Sequence, residues 1–261
     1  MKCEYHSLHL NEINRMAEIT VCIPKTDKDK RFPVLYMHDG QNLVDPARSY
    51  SGKTWQVKES FETQSDLPEV IVVGISSAPD SRRLDEYNPF AFEFETERLT
   101  KEDGKIPGGL GESYMQDIIT KIKPFVDKHY PTLTDQNSTA VMGSSLGGLI
   151  SLYAGVAHGN VFSRMASLSG ALFVSMKALN ELLENSELSH LKKVYLDTGD
   201  SEEAGGNAKD YLLSNRAVHE DLKRRLDDNK LLYKEIKDGL HHETDWAKRF
   251  PDVVRFLFEQ D

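Results

Sequence analysis

The stretch Ala140-Val141-Met142-Gly143-Ser144-Ser145-Leu146-Gly147-Gly148-Leu149-Ile150 constrains this chain more than any other. An apolar run of β character, Thr139 to Met142, passes directly into Gly-Ser-Ser-Leu-Gly. A helical pattern follows through Leu149, Leu152, Tyr153 and Val156. G-x-S-x-G acquires meaning in that strand–turn–helix setting. The turn is so sharp that its central residue, Ser145, is expected in a strained conformation, with Gly143 and Gly147 too close to each other to carry side chains. A hydroxyl is thereby lifted off the sheet edge above a helix N-terminus, where negative charge is stabilised. A Gly-rich turn that binds nothing is the plain alternative; strand before, helix after and the third glycine, Gly148, weigh against it.

Strand and helix patterns alternate through the remaining sequence. Residues 1 to 23 read as strands, with Ile19, Val21 and Ile23 alternating as in a half-buried edge strand. Pro24 to Arg31 is a charged turn. Phe32 to Met37 and Val70 to Ile75 are near-continuous apolar runs of the kind buried on both faces of a parallel sheet. Between them, Trp55, Val57 and Phe61 suggest a short helix. A long polar stretch, Ser76 to Gly111, is of the length that usually carries function. Ser113 to Gln116 reads as a capping box opening a helix with Ile118, Ile119, Ile122, Phe125 and Val126 on one face. Beyond the elbow come a strand at Arg164 to Ser169, a helix at Met176 to Glu184, and a strand at Val194 to Asp197. A helix at Asn207 to Asp228, a strand at Leu231 to Ile236 and a C-terminal helix broken or restarted at Pro251 complete the pattern. This alternation, with no break in composition, predicts a single α/β domain over residues 1–261 with a mostly parallel central sheet flanked by helices.

Charge and cysteine content narrow the partners. The formal net charge is −10, which argues against nucleic acid or an anionic membrane, both of which require basic patches. No apolar run approaches the about 20 residues of a membrane span. The start of the chain lacks the apolar core of a signal peptide, and the chain has only two cysteines, Cys3 and Cys22. Together these predict a cytoplasmic protein with reduced thiols that have no catalytic role.

A serine hydroxyl becomes a nucleophile only with a base, a group that orients the base, and donors for the oxyanion. The chain offers these in loops after successive strands. His241 and His242 follow the last strand, and one of them can serve as base. Asp200, Glu202 and Glu203 follow the strand before it, while Asp197 still lies within that strand; a G-x-x-acid spacing from Gly199 points to Glu202. Backbone N–H groups of Leu146 and of Gln41 or its neighbours are placed to form the oxyanion hole. Arg82 and Arg83 either grip an anionic substrate or pair locally with Asp85 and Glu86. His38, Asp39, His241, His242 and Glu243 lack the spacing of a metal site, so neither metal nor cofactor is expected.

These residues resemble the putative-esterase family of α/β hydrolases, which includes enterochelin-esterase-like trilactone hydrolases, esterase D-like enzymes, feruloyl esterase domains and mycolyltransferases. The matching pieces are Tyr36 to Asn42, Arg83 to Tyr87, Gly111 to Tyr114, Gly143 to Ser151, Leu196 to Gly199 and His241 to Trp246. The resemblance implies an α/β-hydrolase fold with no large cap domain. It implies a serine esterase acting on a small-molecule ester without cofactor, with Ser145 as nucleophile and Glu202 as acid. In the family the closing motif reads His-x-Glu-x-x-Trp with its first histidine catalytic, which selects His241. Arg83 is kept as a substrate contact on the same ground. The rival from another class is a fold of this type used only for binding; such proteins usually lose the serine or the histidine, and this chain has both. With no inserted cap after Ser169, any gating falls to residues 76 to 111.

Overall fold

The computed structural model describes residues 1–25, 30–93, 105–204 and 206–258. One eight-stranded sheet organises them: β1 (Lys2–Leu10), β2 (Arg15–Ile23), β3 (Val34–His38), β4 (Ile71–Ile75), β5 (Thr139–Ser144), β6 (Arg164–Leu168), β7 (Lys193–Gly199) and β8 (Leu231–Ile236). Their order across the sheet is β1-β2-β4-β3-β5-β6-β7-β8. The first two strands are antiparallel to each other and β2 to β4; every later pairing is parallel. The fold is that of an α/β hydrolase.

Alternation along each central strand assigns the two faces. Val34 and Tyr36 point into one apolar cluster with Val73 and Val141, covered by α3 (Gly111–Asp117), α4 (Lys123–His129) and α5 (Leu146–Ala157). Leu35 and Met37 point into the other with Val72 and Met142. There Trp55, α1 (Val57–Thr63) and α8 (Glu243–Phe258) close the layer through Trp246, Phe250 and Val253. Both faces are buried, as the unbroken apolar runs require. The outer helices are completed by α2 (Arg82–Glu86), α6 (Met176–Glu184) and α7 (Ala208–Lys223).

Four local expectations are corrected. β2 is not the edge strand, because the turn after Leu10 folds β1 along its outer side; the buried Asp117 carboxylate holds that turn by accepting from the N–H groups of Asn11, Glu12 and Ile13. The same hairpin register sets Cys3 opposite Cys22, and the two form a disulfide with Cα atoms 4.0 Å apart, so the expectation of reduced thiols does not hold. The capping box at Ser113 is not used. The helix starts earlier, at Gly111, whose N–H and that of Leu110 donate to the carbonyls of Asn88 and Asp85. A π-helical turn over Ile118–Ile122 then links α3 to α4. Finally, α8 runs through Pro251 without a break; the buried stripe from Trp246 to Leu257 outweighs one missing N–H bond.

No large cap follows β6; a 3-10 turn and α6 lead directly to β7. Of the long polar stretch 76–111, residues 94–104 lie outside the described residues. No helix among those described is long and apolar enough to cross a membrane.

One buried ion pair ties the antiparallel edge to α2. Arg15 donates to both oxygens of Glu86 at 2.8–3.0 Å, and both side chains are buried. Burial holds the Glu86 carboxyl above its ordinary range even though Arg15 pulls it down. Replacing Arg15 by Met leaves a buried carboxylate unpaired and is expected to cost about 3–5 kcal/mol at neutral pH. An acid whose folded pKa is raised adds stability at low pH and loses it as pH rises through that pKa. The deficit of Arg15→Met should therefore shrink as pH falls, which urea unfolding at pH 7.5 and pH 5 will test.

Candidate active site

The order of strands reverses around β3 and β5, and the crevice outside their carboxyl ends is where open α/β sheets place ligands. Ser145 sits there between β5 and α5 with φ 59° and ψ −126°, a region that side-chain-bearing residues avoid. The turn is held by backbone bonds: the Ser145 N–H donates to the Leu168 carbonyl, and the Ser145 carbonyl accepts from Gly148, Leu149 and Ala171. A Cβ on Gly143 would lie 2.7 Å from the backbone of Gly147, so this glycine is required. Gly147 itself is less constrained than the motif implied, since its Cβ would meet nothing closer than His38 Cβ at 3.4 Å. Gly148 is the tighter one. A Cβ there would fall 2.5 Å from Ser167 Oγ, because the helix packs directly on the end of β6.

Glu202 and His241 meet across the loops after β7 and β8. The His241 Nδ1–Glu202 Oε2 distance is 2.6 Å. Glu202 is fully buried and also accepts from the Gly199 N–H at 2.8 Å. Burial alone would push its carboxyl up; the His241 imidazole and the Gly199 N–H outweigh that and hold it below the usual carboxylate range. Ser145 and His241 line one cavity of about 660 Å³, shared with Asp39, Gln41, Arg83 and Trp246. The other acids do different things. Asp200 accepts from the Asp238 N–H and the Ser201 hydroxyl. Asp197 is buried in an ion pair with Arg249 at 2.9 Å. His242 is turned away: its Nδ1 bonds Thr244 in the first turn of α8, and its side chain is 42% exposed against 9% for His241.

The loop after β3 is the opposite wall. Asp39 takes a left-handed conformation (φ 54°) and starts a 3-10 turn over Gly40–Asn42. The Gln41 side chain is clamped twice to Ser77, donating from Nε2 to Oγ at 2.9 Å and accepting the Ser77 N–H at 3.1 Å. The N–H of Leu146, first of α5, belongs to the group that a helix cannot pair internally. Arg83 is not paired with Asp85 or Glu86. It grips Asp39 with two parallel bonds of 2.7–2.8 Å and lies over the Tyr87 ring. Arg82 pairs with Asp80 instead. Behind Asp39, the Tyr87 hydroxyl accepts the Asp39 N–H, and Tyr114 meets His38 Nδ1 at 2.9 Å. Burial pushes His38 down to about 3, so it stays neutral.

Three contributors were not singled out from sequence. Tyr211, read as part of the apolar face of α7, packs its ring on His241 at 4.9 Å and donates its hydroxyl to the Ala204 carbonyl. Trp246 lies edge-on to His241 at 5.0 Å. Ser169 receives the Trp246 indole N–H at 2.9 Å. No local pattern marks Tyr211 or Ser169; only the closing motif carries Trp246.

A strained serine at a strand–helix turn, at the switch point of a mostly parallel sheet, defines an α/β hydrolase. The chain belongs to the family described as "Putative esterase", which matches residues 10–257, and is thus a hydrolase of esterase type. Protein YbbA of Bacillus subtilis (strain 168) is 28% identical over 234 residues, covering 87% of this chain and 86% of that one. In structure the chain is similar to the enterobactin esterase FES from Shigella flexneri, solved in the presence of enterobactin, with TM-score 0.76, 17% identity and 99% of this chain covered. It spans 59% of the Shigella chain. BES protein from Bacillus cereus gives TM-score 0.74 at 20% identity, covering 98% of this chain and 95% of that one. An IroE-like serine hydrolase from Shewanella oneidensis gives TM-score 0.74 at 19% identity, covering 99% and 80%.

Gly143→Ala tests the close approach at the elbow. The added methyl must displace the start of α5, and an overpacked site of this kind costs about 1–3 kcal/mol. The expected outcome is a folded protein with a lowered melting temperature and slowed modification of Ser145 by a fluorophosphonate. Gly147→Ala should be milder on both measures.

Proposed function

We propose that this protein is a serine esterase that cleaves a carboxylic or thio ester of a small molecule through an acyl-enzyme on Ser145. The observation that carries the reading is the buried Glu202–His241 pair, 2.6 Å between heavy atoms, opening on the same cavity as the strained Ser145. His241 takes the Ser145 proton as the hydroxyl attacks the ester carbonyl, then returns it to the leaving alcohol or thiol. Water repeats the sequence on the acyl-enzyme and frees the acid. Glu202 holds the imidazole with Nδ1 protonated, so that Nε2 faces the reaction, and offsets the charge that forms on it. The N–H groups of Leu146 and Gln41 receive the oxyanion. Losing one such donor costs about 3 kcal/mol of barrier, and the Gln41–Ser77 clamp supports that wall of the cavity. No metal or organic cofactor takes part in these steps.

The similarity to enterobactin esterases supports a siderophore trilactone as the first substrate class to try. Arg83 lines the cavity with Nε and Nη2 committed to Asp39 and Nη1 without a partner among the described residues. We assign it a contact to a substrate oxygen through that remaining edge.

The decisive experiment combines fluorophosphonate labelling, mapped by mass spectrometry, with p-nitrophenyl acetate turnover. Wild type should be modified at Ser145 and lose turnover together. Ser145→Ala and His241→Ala should each fall by at least about a thousandfold, while His242→Ala keeps most of the rate. Glu202→Gln should be crippled and Asp200→Asn near normal; the reverse moves the acid to Asp200, and full activity in both means a Ser–His dyad. Absence of labelling in folded protein makes the chain a binding protein instead.

A further inference from the structure

Glu243 lines the same cavity as Ser145 yet takes no part in the steps above. It is buried in the first turn of α8, just after His241. A carboxylate out of water needs donors, and those that reach Glu243 come from the loop after β3. The Ser51 hydroxyl donates to Oε2 at 2.9 Å, and Asn42 Nδ2 lies 3.5 Å from Oε1. That loop is closed around the buried Asn42. The Asn42 Oδ1 accepts the Tyr50 N–H at 3.0 Å, its carbonyl accepts the Trp55 N–H at 2.9 Å, and the Gly52 N–H returns to the Ser49 carbonyl at 3.2 Å. On its outer side Arg48 pairs with Glu18 of β2 and lies over the Tyr5 ring of β1. Where the loop ends, Trp55 stacks on Trp246 of α8 at 5.7 Å. The backbone is thus fixed on every side, and one large side chain is left over. Tyr50 is 92% exposed and lines the cavity, and among the described residues no hydrogen bond or ring contact holds its ring. A lone exposed aromatic is ordinary. One held by a fixed backbone at the rim of a reactive cavity is different, because a tyrosine ring offers a large contact area with only two torsions to immobilise.

We propose that Tyr50 is a specificity-determining residue, the surface on which a ring carried by the ester packs away from the scissile bond, and that Glu243 positions it through Ser51. The assignment rests on the acyl-transfer reading above and adds to it the part of the substrate that the reacting groups do not touch. The cavity of about 660 Å³ has room for that part, and Ala78, Pro79 and Trp246 in its lining give a ring further apolar surface. Glu243 is the link between the two halves of the site. It sits in the helix turn that follows the base, and its carboxylate holds the residue next to Tyr50. Asn42 completes the link, its amide spanning the Tyr50 N–H on one side and Glu243 on the other. Loss of the Glu243 carboxylate leaves the Ser51 hydroxyl without this acceptor and frees the turn that aims the ring.

The test compares methyl acetate with two esters that add a ring, methyl phenylacetate on the acyl side and benzyl acetate on the alcohol side, with hydrolysis followed by pH-stat. The readout is the ratio of kcat/KM for each ring-bearing ester to that for methyl acetate, which does not depend on how much of a variant is folded. Tyr50→Ala is expected to lower at least one of these ratios about fivefold or more, chiefly through KM. Glu243→Ala and Ser51→Ala should lower the same ratio. Glu243→Gln, which still accepts from Ser51, should keep most of it. Adding Glu243→Ala to Tyr50→Ala should lower it no further, since both changes act through one ring. Ratios unmoved by Tyr50→Ala, or unmoved by Glu243→Ala, overturn the proposal. So does a Glu243→Ala loss that persists undiminished in the Tyr50→Ala background, because Glu243 then acts on the substrate directly. Binding is read separately, by saturation-transfer NMR with Ser145→Ala protein and the same two ring-bearing esters. Their ring protons should receive magnetisation from the protein and lose it when Tyr50→Ala is added. If wild type neither labels nor turns over any ester while this Tyr50-dependent transfer is present, the esterase reading alone falls. If wild type turns the esters over and the transfer does not depend on Tyr50, the present proposal alone falls.

Discussion

A carboxylate taken fully out of water must be met by donors, and the arrangement around Glu202 follows from that requirement. An isolated buried charge would cost several kcal/mol and would instead take up a proton. Glu202 avoids this because the chain turns sharply enough after β7 for the Gly199 N–H to reach back to its own loop. It also needs a second element, the loop before α8, to deliver His241. That loop is held from two sides. The Ser201 N–H donates to the Gly239 carbonyl and the Asp200 N–H to that of Ile236, tying it to the loop after β7; α8 follows it, with Trp246 and Phe250 buried against the sheet and Arg249 anchored to Asp197 on β7.

Strain is concentrated at the same edge. Asp39, Ser145 and Ser169 all have left-handed or otherwise positive φ, and they follow β3, β5 and β6, three neighbouring strands. Each is over-determined by its surroundings, as such residues must be. Asp39 is held by Arg83 and Tyr87, Ser145 by the ladder to Leu168 and by the start of α5, and Ser169 by Asp197. A flat, relaxed end to these strands would leave their side chains pointing along the sheet. The sharp turns aim them into one crevice, and the hydrophobic layers on both faces of the sheet supply the stability against which that strain is set.

The legible parts of the molecule are those written in local periodicity. Near-continuous apolar runs became the central parallel strands, and the glycine spacing around Ser145 marked the elbow, because a turn of that geometry admits few side chains. The pair that the structure brings together, Glu202 and His241, was reached in two ways: Glu202 by its spacing of three residues after Gly199, and His241 over His242 by the closing motif of the resembled family. Pairings across the sequence were not legible in the same way. Arg83 has acidic neighbours within three positions, yet it bonds Asp39, forty-four residues away, because α2 lies over the loop after β3. The cysteines illustrate the difference more sharply. Their number in a chain of this length argued for free thiols, whereas their positions decide the matter. With a turn after Leu10 returning the chain antiparallel, the register that pairs Leu10 with Arg15 also pairs Cys3 with Cys22. Composition averages over the chain and discards that register. A hairpin reading carried through to its pairing would have placed the two sulfurs opposite each other, since in an antiparallel ladder one matched pair fixes all the others.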